Sequence, residues 1–232
     1  MIFRQLFDEE SSTYTYLLAD DESHEALLID PVDAGLEQYL QLLDEYNVVL
    51  KYSLETHVHA DHITASGMLR EKTNTLTGIG SRCNALPADL QLQHADQLRF
   101  GNHIIKVLGT PGHTVGSVSY LVDDRVFTGD SLLINGCGRT DFQDGDAGTL
   151  YDSITQQLFR LDEEILVYPG HDYKGCRVSC IGQEKAINPR LAGKTRDEFI
   201  AIMDNLDLPK PELIDIAVPT NRKLGIEALP HG

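Results

Sequence analysis

Basic residues are scarce in this chain: 19 lysines and arginines face 36 aspartates and glutamates, a formal net charge of −17 over 232 residues. A polyanion would be repelled by that field, which excludes nucleic acid as the expected partner. Cysteine is also thin. Cys83, Cys137, Cys176 and Cys180 are too few for a disulfide scaffold of this length and read as reduced thiols. Cys176 and Cys180 lie four residues apart, but without a second pair they make a weak zinc signal. No apolar run reaches membrane-spanning length, so no membrane association is expected. Residues 1–10 lack a basic start and a long apolar core, so the expected location is cytoplasmic. Neither a linker nor a repeat divides the chain, which predicts a single domain over 1–232. A Pro-rich tail from about 188 to 232, broken at Pro209, Pro211, Pro219 and Pro230, is expected to pack on it.

What is present is an alternation of short apolar strands with amphipathic helices. Strand patterns cover 2–7, 13–18, 26–29, 48–54, 104–108, 117–122 and 165–168. Leu36, Leu40 and Leu43 recur at helical spacing within 35–46, as do Leu150, Ile154, Leu158 and Leu161 within 149–161. Further helices are expected over 63–70 and near 196–205, and Asp33 is expected to cap the helix over 35–46.

The densest chemistry follows the strand over 48–54. Thr56-His57-Val58-His59-Ala60-Asp61-His62 places three imidazoles and a carboxylate in one short stretch. As ordinary buried residues, each would need its own polar partner. Imidazole with carboxylate suits a transition metal rather than calcium or magnesium. Further candidate ligands stand on loops after apolar runs: His113 in Gly109-Thr110-Pro111-Gly112-His113, Asp130 after Val126-Phe127-Thr128-Gly129, and His171 after Tyr168-Pro169-Gly170. His24, His94, His103 and His231 fall outside every motif and read as surface residues.

The His-x-His-x-Asp-His run, followed by His113, Asp130 and His171 on successive loops, resembles the metallo-β-lactamase fold superfamily. That resemblance implies an α/β chain folded as an αβ/βα four-layer sandwich, with two mixed β-sheets face to face, helices on the outer faces and metal at the sheet edges. A narrower resemblance rests on Gly136-Cys137-Gly138-Arg139-Thr140-Asp141-Phe142-Gln143, Tyr168-Pro169-Gly170-His171-Asp172-Tyr173, Asn188-Pro189-Arg190-Leu191 and 205–211. These stretches are similar to the persulfide dioxygenase family, the ethylmalonic encephalopathy protein-like sulfur dioxygenases.

The resemblance implies oxidation of glutathione persulfide by dioxygen and water to sulfite and glutathione. It implies one ferrous iron per chain, with His57, His113 and Asp130 as ligands. Two His and one carboxylate are the set that oxygen-activating ferrous enzymes use. His59, Asp61, His62 and His171 either orient those ligands or hold a second metal, since spacing allows both. Arg139, Tyr173, Arg190 and Cys137 match positions expected to hold the glutathione moiety, although Arg139 could equally pair with Asp141. A separate rhodanese-type sulfurtransferase and a second copy of the chain, as a homodimer, are the implied partners. Two other readings use the same residues: a glyoxalase II-like thioester hydrolase with a binuclear centre, and a thiol or sulfide sensor without turnover. The short tail departs from the helical substrate domain such hydrolases carry after the last metal His. Leu224, in Asn221-Arg222-Lys223-Leu224-Gly225, stands where animal relatives have Cys, and Cys180 stands where Thr is expected.

Overall fold

The computed structural model describes residues 1–226; Pro230 and His231 lie outside them. The first half of the chain supplies β1 (Ile2–Asp8), β2 (Thr13–Ala19), β3 (Glu25–Ile29), β4 (Val49–Leu54), β5 (Leu76–Gly80) and β6 (Leu90–Leu92). The second supplies β7 (Gln97–Phe100), β8 (His103–Gly109), β9 (Val118–Val122), β10 (Arg125–Gly129), β11 (Leu166–Pro169) and β12 (Ser179–Cys180). Each set forms one six-stranded mixed sheet, in the orders β1-β2-β3-β4-β5-β6 and β12-β11-β10-β9-β8-β7. The helices are α1 (Leu36–Glu45), α2 (Ser66–Thr73), α3 (Ala147–Gln156), α4 (Ile181–Ile187), α5 (Arg196–Asp204) and α6 (Ile214–Asn221).

The layering follows from strand alternation. In β2 and β3, Tyr16, Leu18, Leu27 and Ile29 face the second sheet, where they meet Phe100, Val107, Tyr120 and Phe127. Their neighbours Leu17 and Leu28 face the other way and pack under α1 and α2 through Leu36, Tyr39, Leu43 and Leu69. Val126 and Val167 likewise turn outward to meet Leu150, Ile154, Ile181 and Phe199 of α3, α4 and α5. Four layers result, as the resemblance implies and the alternation of strands and helices accommodates.

Strand direction then fixes where the loops gather. β9 runs antiparallel to both β8 and β10, and β10 runs parallel to β11. The C-terminal ends of β8, β10 and β11 therefore share one edge, from which the loops bearing His113, Asp130 and His171 emerge. β4 delivers the His57 loop to the same place: Thr56 O accepts Val118 N–H at 2.8 Å, and Gly170 O accepts Tyr14 N–H at 2.8 Å. Both bonds join the two sheets.

Several elements depart from the pattern read in the sequence. Asp33 does not cap α1: it opens a 3-10 turn over Asp33–Gly35, and the N-cap is Gly35 with no side-chain bond. Asp33 Oδ1 instead accepts the N–H of Ala34. α2 starts at Ser66, since residues 55–65 are spent on the loop. The helix expected over 149–161 starts at Ala147, capped by Asp146, and ends at Gln156, before a 3-10 turn over Leu158–Arg160. Pro219 does not break the tail but sits inside α6, where one missing N–H near the end of a short helix is offset by burial of Ile214, Ala217 and Asn221. His103 is mostly buried in β8 and pairs with Asp123 at 2.7 Å, which corrects its reading as a plain surface residue.

Asp20, at the end of β2, ties the first sheet to the hairpin between β7 and β8. Its carboxylate accepts Glu22 N–H at 3.1 Å and Asn102 N–H at 2.9 Å. These bonds lower its pKa from 3.8 to about 2. A carboxylate with a depressed folded pKa stabilises above its unfolded value and loses that contribution as pH falls through the folded one. Asp20→Asn is therefore expected to flatten the acid-unfolding limb between about pH 4 and about pH 2, read by circular dichroism. An unchanged limb would contradict the assignment.

Candidate metal centre

His57, His113 and Asp130 present one ligand atom each, all within 4.8 Å of one another. They line a cavity of about 740 Å³. The three come from loops after β4, β8 and β10, so the fold brings together residues up to 73 positions apart (130 − 57). His113 Nε2 lies 3.6 Å from Asp130 Oδ2. Its other nitrogen, Nδ1, donates to Arg139 O at 2.6 Å, which leaves the Nε2 lone pair free. His57 is fixed in the same way. Its Nδ1 lies 3.0 Å from Thr56 Oγ1, and that hydroxyl in turn donates to Asp30 Oδ2 at 2.7 Å. Burial, with His59 and His113 beside it, holds His57 well below the usual imidazole range, in the neutral form a metal needs.

Asp130 Oδ1 takes His171 Nδ1 at 2.7 Å, while His171 Nε2 reaches Asp61 Oδ2 at 2.9 Å. Burial works against charge on His171, but Asp130 and Asp61 outweigh it and raise its pKa well above the ordinary value. Burial would raise the Asp130 pKa, yet His171, His113 and His57 hold it far below the carboxylate range. Gly129 makes the approach possible. Its φ is +50°, and a Cβ there would stand 2.4 Å from Thr56 Oγ1, the atom that orients His57.

His59, Asp61 and His62 form a second group within 4.8 Å. Asp61 Oδ2 receives His62 Nδ1 at 2.8 Å and Thr13 Oγ1 at 3.1 Å in addition to His171. His59 Nε2 lies 3.2 Å from Asp30 Oδ1 and 3.3 Å from Glu55 Oε2. Burial opposes its charge, and those two carboxylates outweigh burial to raise it to about 10. His59 Nδ1 and His62 Nε2 are buried without a hydrogen-bond partner among the described residues.

The four expected substrate residues all line the cavity. Arg139 is largely committed elsewhere: it pairs bidentately with Asp141 at 2.7 Å and donates to Leu208 O and Pro209 O, clamping the tail over the site. The ion pair with Asp141 has prevailed over a free guanidinium. Among the described residues Arg190 donates through Nη1, to Cys137 O at 2.7 Å and to the sulfurs of Cys137 and Met203, while its Nε and Nη2 donors meet no acceptor there. Tyr173 is exposed at the mouth and stacks on the His171 ring, with centroids 5.9 Å apart. Cys137 is buried, and burial raises its thiol pKa.

The sequence assigned no functional role to Asp30, Glu55, Thr56 or Asn221. Asp30 and the Glu55-Thr56 pair had one available signal, as polar residues directly after apolar strands; Asn221 had none.

A model of the metallo-beta-lactamase superfamily matches residues 82–171, and the two facing sheets with outer helices are that fold. Among individual proteins, the persulfide dioxygenase ETHE1, mitochondrial, of Mus musculus is 47% identical over 99% of this chain and 91% of its own length. The Homo sapiens counterpart is 46% identical over 98% and 90%. The crystal structure of ETHE1 from Myxococcus xanthus, 57% identical, matches with a TM-score of 0.96 over 97% of this chain and all of the other. The chain belongs to the persulfide dioxygenase family.

Proposed function

We propose that this enzyme oxidises glutathione persulfide with dioxygen and water to sulfite and glutathione, using one ferrous iron held by His57, His113 and Asp130. The observation that carries the reading is the convergence of two oriented imidazoles and one carboxylate in a cavity large enough for a thiol cofactor. The donor set fits ferrous iron: neutral His57, His113 with its Nδ1 already engaged, and an ionised Asp130 form a two-His, one-carboxylate face. Iron, when bound, supplies the redox-active ion that dioxygen chemistry requires. Thr56 and the Arg139 carbonyl hold the rings in one tautomer, and His171 keeps the Asp130 carboxylate aimed.

A binuclear centre is the second reading, favoured by the unpartnered His59 Nδ1 and His62 Nε2. Against it, Asp61 Oδ2 is already shared by His62, His171 and Thr13. Counting metal per active chain separates the two.

In the proposed complex, Arg190 grips a glutathione carboxylate with its open donors, and Tyr173 closes over the mouth. A charge-assisted bond of about 1.5–3 kcal/mol corresponds to roughly 10–100-fold in affinity. Arg190→Ala should therefore raise KM for glutathione persulfide by at least about 10-fold with kcat within about twofold, read by steady-state oxygen uptake. A fall in kcat at unchanged KM would contradict that role. The four free thiols fit a reducing compartment, of which the proposed cytoplasmic location is one. No described helix is long and apolar enough to cross a membrane.

A further inference from the structure

The loop carrying His57, His59, Asp61 and His62 has little regular structure of its own to hold it. Between Leu54 and Ser66 its one ladder contact among the described residues is the isolated bridge of Thr64 with Val32. Yet four side chains on it must meet partners from other loops. A geometry of that kind needs bonds from outside the loop.

Val118 N–H holds Thr56 O and Gln143 Nε2 holds Val58 O near the start of the loop, and three more bonds, to its second half, come from the end of the tail. Asn221, the last residue of α6, is buried, and its side-chain amide is fully used on loop backbone. Nδ2 donates to His59 O at 2.9 Å and to His62 O at 2.8 Å, while Oδ1 accepts Thr64 N–H at 2.9 Å. Two donors and one acceptor match two carbonyls and one amide, a complement that only Asn or Gln offers.

The residues after Asn221 lock this contact in place. Leu224 O accepts Gly67 N–H at 2.9 Å, and Gly225, with φ +74°, lies so near the loop that a Cβ would stand 2.0 Å from Thr64 O. Leu224 itself holds φ +63°, a left-handed backbone that is unfavourable for a non-glycine residue. Its side chain is nevertheless buried beside Val58, Ile79, Cys83, Ala85 and Ala88. That burial fixes the turn where the Asn221 amide meets the loop.

We infer that Asn221 is a positioning residue for the metal loop: through three backbone bonds, at His59, His62 and Thr64, it fixes the loop segment that follows His57 without touching metal or substrate. The inference rests on the proposed iron centre. Asn221→Ala removes all three bonds, and Asn221→Asp, nearly the same shape, removes both donors. Each variant, with the parent and Ile214→Ala, is titrated with ferrous iron against a competing chelator under anaerobic conditions. The electron paramagnetic spectrum of the nitric oxide adduct and the metal-free melting temperature are recorded on the same samples. Ile214→Ala disturbs the packing of α6 while leaving the amide in place.

The expected result is iron affinity lowered by about 10-fold or more in both Asn221 variants, with an altered spectrum. Ile214→Ala should keep parental affinity and spectrum even where its melting temperature falls as far. Parental affinity and spectrum in the Asn221 variants, or equal loss in Ile214→Ala, would overturn the inference, as would failure of both Asn221 variants to fold. A parent protein that binds no iron would instead overturn the proposed iron centre.

Discussion

Replacement of His113 by alanine is expected to cut persulfide-dependent oxygen uptake by about a thousandfold or more, near 4 kcal/mol of transition-state stabilisation at about 1.36 kcal/mol per tenfold. The size follows from the architecture. His113 is one of only three ligand atoms in the proposed set, and its Nδ1 bond to Arg139 O presets the ring so that Nε2 faces Asp130. Nothing adjacent can substitute: His57 is committed through Thr56, and His171 is held between Asp130 and Asp61. The ring projects into the cavity rather than the apolar core, so the melting temperature of the metal-free protein should move little. An oxygen electrode and an iron assay on one preparation check both halves. Uptake above about a tenth of the parent's would remove His113 from the ligand set.

Phe127→Ala should give the largest stability loss, about 3–5 kcal/mol. The side chain is fully buried between the sheets, 4.8 Å from the Tyr16 ring and 5.6 Å from that of Tyr168 by centroid. Truncation removes its transfer free energy and its edge and stacking contacts, and leaves a cavity that two hydrogen-bonded sheets cannot close. At roughly 2–4 °C per kcal/mol for a chain of this size, the melting temperature should fall by about 6–20 °C in calorimetry. Phe127 lies three residues before Asp130 on β10, so iron binding at low temperature should survive. A shift under about 3 °C would contradict its place in the inter-sheet core.

The sequence made the site easier to read than its supports. His57, His113 and Asp130, the proposed ligands, were legible as candidates because they are polar residues set at the ends of apolar strands, a contrast visible without a structure. Asp30 and Asn221 were not legible, because an orienting residue is defined by what its side chain meets in space. Asn221 lies 157 positions from Thr64, and local pattern carries no trace of that bond. Arg139 shows the limit from the other side: its position on the loop after the proposed ligand Asp130 was plain, but only the fold places Leu208 O and Pro209 O against its guanidinium. Among the elements, long alternating strands such as β2 and β9 were clear. β5, with two glycines in five residues, and the short strands β6 and β12 were not, because they owe their pairing to neighbours rather than to propensity. Pro219 misled for the same reason, since burial of one helical face outweighs a single missing bond.

The central claim is that one ferrous iron at His57, His113 and Asp130 supports persulfide oxidation. Its most direct test is oxygen uptake by anaerobically iron-loaded protein given glutathione persulfide, with sulfite and bound metal counted on the same sample. The account predicts one sulfite per dioxygen consumed at about one iron per chain, and no uptake with zinc in its place. Absence of uptake in the iron form, or activity that appears only with two metals bound, would contradict it.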